Sequence, residues 1–260
     1  MNFLFLGTGA ADFSPRLAGE DRWNAEDRSI RRSTATLLDE RLLLDCGPHT
    51  PDAFQIFGAD MGKVENILFT HLHSDHYSLE SIAKVAAASH RELHIWAREG
   101  AELPSIAGVT CHFMRVGECY RIDGYQVTAL AANHSYHPLH FSIEKDGCRL
   151  FYGLDGAWLL HDTYYAMRNQ LYDVMIMDAT VGDYDGDFRM GEHNSIPMLR
   201  MMKKSFVTWG AMDEKTVFVA DHLARTLHPK HEETEEILRQ DAIIAAYDGM
   251  RLSVSGRERT

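Results

Sequence analysis

Seven consecutive residues hold most of the chemistry this chain can do: Thr70-His71-Leu72-His73-Ser74-Asp75-His76, directly after the apolar run Ile67-Leu68-Phe69. Packing does not account for three histidines and an aspartate crowded at the end of a strand. Imidazole and carboxylate together suit Zn, Mn or Fe(II). His71 and His73 are two residues apart, so in extended backbone both project to the same side and can share one metal. Asp75 and His76 follow where the chain turns towards a helix, and can point at a second ion.

The elements that must position this cluster are short. Apolar or β-branched runs ending in Gly, Asp or His predict strands over Phe3–Leu6, Thr34–Leu38, Leu42–Asp45, Ile67–Thr70, Leu93–Trp96 and Val109–Phe113. The same pattern recurs at Val127–Ala131, His140–Glu144, Arg149–Tyr152, Val174–Asp178, Val217–Ala220 and Leu252–Val254. Helical periodicity marks Ser78–Ser89, Leu159–Leu171, Ile196–Lys204 and Glu232–Ala246. Strands come first in hairpins, helices then intervene, and the order repeats. That predicts an α+β chain with two sheets packed together and helices outside, all one domain over residues 1–260. The one long irregular stretch is Ala10–Arg32, rich in Asp, Arg and Glu and interrupted by Pro15. A loop of that length is usually functional or mobile.

Hydrophobic residues make up 45% of the 260 and charged residues 25%, ordinary for a globular protein with a substantial core. Net charge is −12, from 38 acidic and 26 basic residues, which opposes a large nucleic-acid ligand at long range. A small anion is still admitted, because bound metals reverse the local potential. The four cysteines, Cys46, Cys111, Cys119 and Cys148, form no C-x-x-C pair and read as reduced core thiols. The opening Met1–Gly7 reads as a strand, and no apolar run approaches a membrane span, so the expected location is cytoplasmic.

H-x-H-x-D-H after a strand resembles the signature of the metallo-β-lactamase superfamily. Its other motifs have counterparts in order: His134 in Ala-Asn-His-Ser, Asp155 in Tyr-Gly-Leu-Asp-Gly, and His222 in Val-Ala-Asp-His. Leu6-Gly7-Thr8-Gly9-Ala10 and Leu44-Asp45-Cys46-Gly47 also resemble the family, so the likeness spans essentially the whole chain. It implies a four-layer αββα sandwich and two divalent ions, Zn or Mn, with Fe an option. It further implies that His71, His73 and His134 hold one ion, that Asp75, His76 and His222 hold the other, and that Asp155 lies between them. Taken singly, His134 reads as a surface histidine, Asp155 as a turn residue and His222 as a helix cap. Apart from His193, the other nine histidines match no motif position, and read as surface or core residues.

Two metals about 3.5–4 Å apart share a water, lower its pKa and polarise the scissile group. The expected reaction is therefore hydrolysis by a metal-bridging hydroxide, with Asp75 counted among the catalytic residues. Met190-Gly191-Glu192-His193-Asn194-Ser195 looks like the extra histidine of the superfamily's phosphodiesterase branch, which includes ribonuclease Z and the cyclic phosphodiesterase of the carbon–phosphorus lyase pathway. By that resemblance His193 protonates the leaving oxygen; the plainer reading places it beside a helix N-cap at Asn194 or Ser195. Arg31 and Arg32 resemble an arginine pair of the cyclic phosphodiesterase and would hold a phosphate oxygen; otherwise they balance Glu20, Asp21, Glu26 and Asp27.

There are departures from that pattern. Ala10–Arg32 has no cysteine cluster for a structural zinc, and no basic Gly/Pro-rich arm for transfer RNA is visible. Asp221 stands where Thr is common, and either orients a ligand or caps the strand end. The expected substrate is a small anionic phosphodiester, cyclic or nucleotide-like; the alternative is a thioester, lactone or other acyl bond. Trp23 in the long loop would close over a substrate ring, and the family likeness suggests a homodimer.

Overall fold

The protein is described by a computed structural model covering residues 1–257. The chain divides into two compact units. The first comprises Asn2–Arg115 with Tyr247–Ser253; the second comprises Val116–Ala246 with Met1 and residues 254–257.

The first unit holds β1 (Asn2–Gly7), β2 (Ala35–Leu38), β3 (Leu42–Leu44), β4 (Asn66–Leu68), β5 (Leu93–Arg98), β6 (Val109–Met114) and β14 (Arg251–Ser253). They form one sheet in the order β14-β1-β2-β3-β4-β5-β6. Pairing is antiparallel from β14 to β3 and parallel from β3 to β6. The connections explain the change. β2 and β3 are joined by a tight turn with Asp39 and Glu40 at positive φ, whereas parallel neighbours need a crossover. α1 (Thr50–Ile56) and α2 (Leu79–Ala88) supply the crossovers from β3 to β4 and from β4 to β5. α2 starts at Ser78, whose side chain accepts the Ser81 backbone N–H, and it buries Ile82 and Val85 one turn apart. Those two pack with Leu6, Leu37, Leu43, Phe54, Ile67 and Ile95 in this unit's core.

The second unit repeats the scheme with β7 (Cys119–Ile122), β8 (Tyr125–Ala131), β9 (Leu139–Lys145), β10 (Cys148–Gly153), β11 (Val174–Asp178), β12 (Val217–Asp221) and β13 (Ile244–Ala245). The order is β13-β12-β11-β10-β9-β8-β7. Asp123-Gly124 and Asp146-Gly147, all four at positive φ, make the two-residue hairpin turns that keep β7–β8 and β9–β10 antiparallel. The parallel side is connected through α3 (His161–Ala166), α4 (Ile196–Thr208) and α5 (His231–Arg239). β11 is buried at every residue, which is why it reads as an uninterrupted apolar run closed by Asp178.

Three elements differ from expectation. The helix expected over Glu232–Ala246 stops at Arg239, Ala242 takes positive φ, and Ile244–Ala245 joins the sheet as β13. Lys203 Nζ donates to the carbonyl oxygens of Asp241 and Ala242 where the chain turns. α3 is half the length of the periodic segment that predicted it. β7 lies at the sheet edge, with a mostly exposed pattern and no apolar run to announce it. The cysteines are all free thiols among the described residues. Cys46 and Cys148 are core groups as expected, and burial pushes the Cys46 thiol up to about 12. Cys119 is exposed, because its edge strand turns that face outward. Among the described residues no helix is long and apolar enough to cross a membrane.

Burial also gives the fold an acid limit. His140 in β9 is fully buried, and desolvation pushes its imidazole down to about 4 despite the nearby Asp178 and Asp155 carboxylates. The folded protein therefore holds fewer protons here than the unfolded chain does. Stability falls as pH drops from about 6.5 to about 4, by up to ~3 kcal/mol from this residue. Urea midpoints at pH 7 and 4.5 for the wild type and His140→Leu measure this: the variant should lose less on acidification. Equal losses would show that His140 carries no part of the acid limit.

Candidate metal centre

Each unit carries its own donor set, organised around a buried aspartate at a strand's end. In the first unit that aspartate is Asp45, just beyond β3 and at positive φ. Asp45 Oδ1 accepts the Thr70 backbone N–H at 2.8 Å, and Asp45 Oδ2 lies 2.9 Å from His76 Nδ1. The Thr70 hydroxyl is 3.0 Å from each Asp45 oxygen, 3.1 Å from His71 Nδ1 and 3.2 Å from His76 Nδ1. Fixing Nδ1 in this way leaves Nε2 as the coordinating atom and sets the tautomer. The His71 ring centroid is 4.3 Å from that of His73 and 4.4 Å from that of His76, and Asp75 Oδ2 is 3.5 Å from His76 Nε2. All four expected donors of this unit therefore form one cluster. Gly47 lets the Asp45 turn approach the Asp75 turn: a Cβ there would lie 2.1 Å from the Asp75 carbonyl oxygen.

In the second unit His134 follows β8, Asp155 follows β10 and His222 follows β12. Asp155 and His222 both take positive φ, a conformation that a non-glycine residue keeps only where its surroundings impose it. Asp155 Oδ1 is 2.9 Å from His222 Nε2, and Oδ2 is 3.6 Å from His134 Nε2. His134 Nδ1 donates to the Glu192 carbonyl oxygen at 3.0 Å, so this ring too presents Nε2.

Asp178, closing β11, does here what Asp45 does in the first unit. Its Oδ2 is 2.9 Å from His193 Nδ1 and 3.5 Å from His222 Nδ1. Its Oδ1 accepts the backbone N–H groups of Thr180 and Asn194, each at 3.0 Å. The Thr180 hydroxyl sits 2.7 Å from His222 Nδ1 and 3.2 Å from His193 Nδ1. Asp155, Asp178, His193 and His222 bring ligand atoms within 4.8 Å of one another. Donors already occupy both Asp178 oxygens, which makes it the group that orients the histidines. Burial would raise the Asp178 carboxyl, but His193 and His222 outweigh it and hold it well below the usual range. Burial would lower His193, and Asp178 followed by Asp155 outweighs that and raises it.

The donor chemistry fits divalent cations. Imidazole nitrogens and carboxylate oxygens come within 4.8 Å of one another, the rings of His71, His76, His134, His193 and His222 are each fixed through Nδ1, and no thiolate takes part.

In the sequence Asp45 stands out within a family-like strand end and Asp178 only as a strand end, and nothing marks Thr180. Their signal was an aspartate closing an apolar strand, twice. Asp221 Oδ1 accepts the His222 backbone N–H at 2.8 Å. Both parts of the His193 segment are used. Ser195 caps α4 by accepting the Met198 N–H, while buried Asn194 donates through Nδ2 to the Gly156 carbonyl at 2.7 Å.

The arginine pair is placed differently from expectation. Arg31 is buried, with Nη1 3.3 Å from the Thr8 hydroxyl. Arg32 is buried as well. Its Nη1 pairs with Asp248 at 3.1 Å, and its Nη2 donates to the carbonyls of Arg22 and Asn24 at 3.1 and 2.8 Å. A guanidinium engaged at both ends fastens the 10–32 loop. Its acidic partner is Asp248 rather than the loop's own carboxylates. Trp23, on that loop, is about half exposed, with the Arg22 guanidinium 4.9 Å from its ring centroid.

Comparison with known proteins agrees with this architecture. Ribonuclease Z of Bacillus velezensis is 28% identical over 164 residues, 56% of this chain and 50% of that protein. The chain thus spans about half the length of the curated relatives it matches. Among solved structures, a diphosphatase from the PhnP family superposes with a TM-score of 0.71 at 16% identity, covering 96% of each chain. The metallo-beta-lactamase fold protein YhfI from Bacillus subtilis gives 0.70 at 15% identity, over 96% of this chain and 98% of that one. These likenesses establish the α+β metallo-β-lactamase fold. The family model for the Beta-lactamase superfamily domain matches residues 40–209, well over half of the chain. With that match and the two donor sets in their expected order, the chain belongs to the metallo-β-lactamase superfamily.

Proposed function

We propose that this chain is a dinuclear metal-dependent phosphodiesterase acting on a small cyclic or nucleotide-like ester. The observation that carries the reading is His193. Its Nδ1 is held 2.9 Å from the Asp178 carboxylate and lies 3.7 Å from Asp155 Oδ1, yet it is outside the seven residues of the expected ligand set. An oriented imidazole beside the ligands serves a leaving alkoxide, which must gain a proton. A thiolate leaves without one, so His193 favours a phosphodiester over a thioester.

In this reading His71, His73 and His134 hold one ion, Asp75, His76 and His222 hold the other, and Asp155 is shared. The assignment follows the superfamily pattern. Bound divalent ions supply an acidified water and a Lewis acid for the ester oxygen. The chain's own residues do the rest. Asp45 and Thr70 fix the rings of His71 and His76, Asp178 and Thr180 fix those of His222 and His193, and His193 delivers a proton to the leaving oxygen. Of the two arginines, Arg31 stays in the proposal as the phosphate contact.

The net charge of −12 favours a small ester over a polynucleotide. Residues 1–260 are read as one domain, because neither unit is a continuous segment of chain.

His193→Ala should retain two ions per chain and lose about 10²–10³-fold in kcat on esters with alkyl leaving groups. On p-nitrophenyl esters, whose leaving group needs little protonation, the loss should be much smaller. Metal analysis with the two substrate series checks this. Unchanged rates on alkyl esters would remove the general-acid role.

A further inference from the structure

Building on the phosphodiesterase reading, we propose that the second unit carries a recognition site for a planar aromatic ring, that of a nucleobase, formed by Tyr136 and Phe188. Phe188 is 85% exposed and Tyr136 is 78% exposed. Single exposed aromatics are ordinary on a protein surface. These two stand on the loops that deliver His134 and His193, and a third, Trp158, stands three residues beyond Asp155 and is also exposed.

The three loops are fastened to one another. Asn133 accepts the Ala157 N–H at 3.0 Å and donates to the Trp158 carbonyl at 3.1 Å. His134 Nδ1 donates to the Glu192 carbonyl, and Asn194 Nδ2 donates to the Gly156 carbonyl. The aromatics are thus carried on a braced frame that also holds the donor set.

Local backbone structure carries each residue at the surface. Phe188 opens a single 3-10 turn, Phe188–Gly191, capped by Asp187. The Arg189 guanidinium, paired with Asp187 at 2.7 Å, lies 4.7 Å from the Phe188 ring centroid. The Arg189 carbonyl in turn accepts the His193 backbone N–H at 2.9 Å, tying the turn to the proposed acid. Tyr136 and His137 both take positive φ, at 59° and 51°. Two such residues in succession are strained for side chains of this size, and strain of that kind persists at ligand-binding loops. Stacking on a base accepts any base because each has a π-face. The site therefore selects ring-bearing phosphates over ring-free ones without reading base identity.

The test is equilibrium binding, by calorimetry, of AMP and of ribose 5-phosphate to the purified protein and to Phe188→Ala, Tyr136→Ala and Phe188→Tyr. The protein is expected to bind AMP roughly tenfold more tightly than ribose 5-phosphate, and each alanine variant to lose most of that margin on AMP alone. Phe188→Tyr should keep it. Equal affinity for the two ligands, no binding of AMP at millimolar concentration, or an alanine variant that leaves the margin intact overturns the proposal. Because the readout is binding, a failure to hydrolyse any phosphodiester would count against the proposed function and leave this result standing.

Discussion

Asp178→Asn is expected to weaken metal binding about 10–100-fold and to lower the rate by about 10²–10⁴, although no expected ligand is touched. The Asp178 carboxylate receives His193 Nδ1 directly and reaches His222 through the Thr180 hydroxyl, which lies 3.0 Å from Asp178 Oδ2 and 2.7 Å from His222 Nδ1; the nearby imidazoles outweigh its burial and hold it ionised. An asparagine keeps one oxygen, enough for the backbone N–H groups of Thr180 and Asn194. The amide nitrogen that replaces Oδ2 can only donate, so it turns both rings towards the wrong tautomer. The two effects separate by method. Metal titration reads His222, and rates on alkyl-leaving esters at saturating metal read His193. Native affinity together with native rates would show that Asp178 is a folding residue only.

Arg32→Met should destabilise the protein by about 3–5 kcal/mol, since it leaves Asp248 buried and unpaired while also releasing the 10–32 loop. For a chain of this size that corresponds to a fall of roughly 6–20 °C in Tm. The double variant Arg32→Met/Asp248→Asn removes both charges, keeps an acceptor oxygen for the buried Thr8 donors, and should recover part of the loss, because much of the penalty comes from the stranded charge. Thermal melts of the two variants decide the matter. A single variant that melts normally but has a raised KM would restore Arg32 to the substrate.

The metal ligands were legible because their chemistry is expensive to place by chance: three histidines and an aspartate in six residues have no packing explanation. The strands that carry them were legible as apolar runs closed by Asp or His. Boundaries and short elements were not. β13 hides inside a stretch with helical periodicity, because its two residues join the sheet only after Ala242 takes positive φ. β7 is an edge strand that buries too little to leave a pattern. The arginine pair shows a different limit. Arg32 is adjacent to Arg31 in sequence, but its partner Asp248 is 216 residues away, and no local pattern links them. Asp178 and Thr180 were opaque for a related reason. An aspartate ending a strand is common, and its meaning depends on His193 and His222 arriving from two other loops.

Hydrolysis of bis(p-nitrophenyl) phosphate and 2′,3′-cyclic nucleotides, set against thioester and lactone substrates, separates a phosphodiesterase from an acyl hydrolase. The protein would be loaded with Zn or Mn, with Asp155→Ala as control. Turnover of the phosphodiesters that disappears in Asp155→Ala, with two ions bound per wild-type chain, is the expected result. Two bound ions with turnover confined to acyl substrates would contradict it.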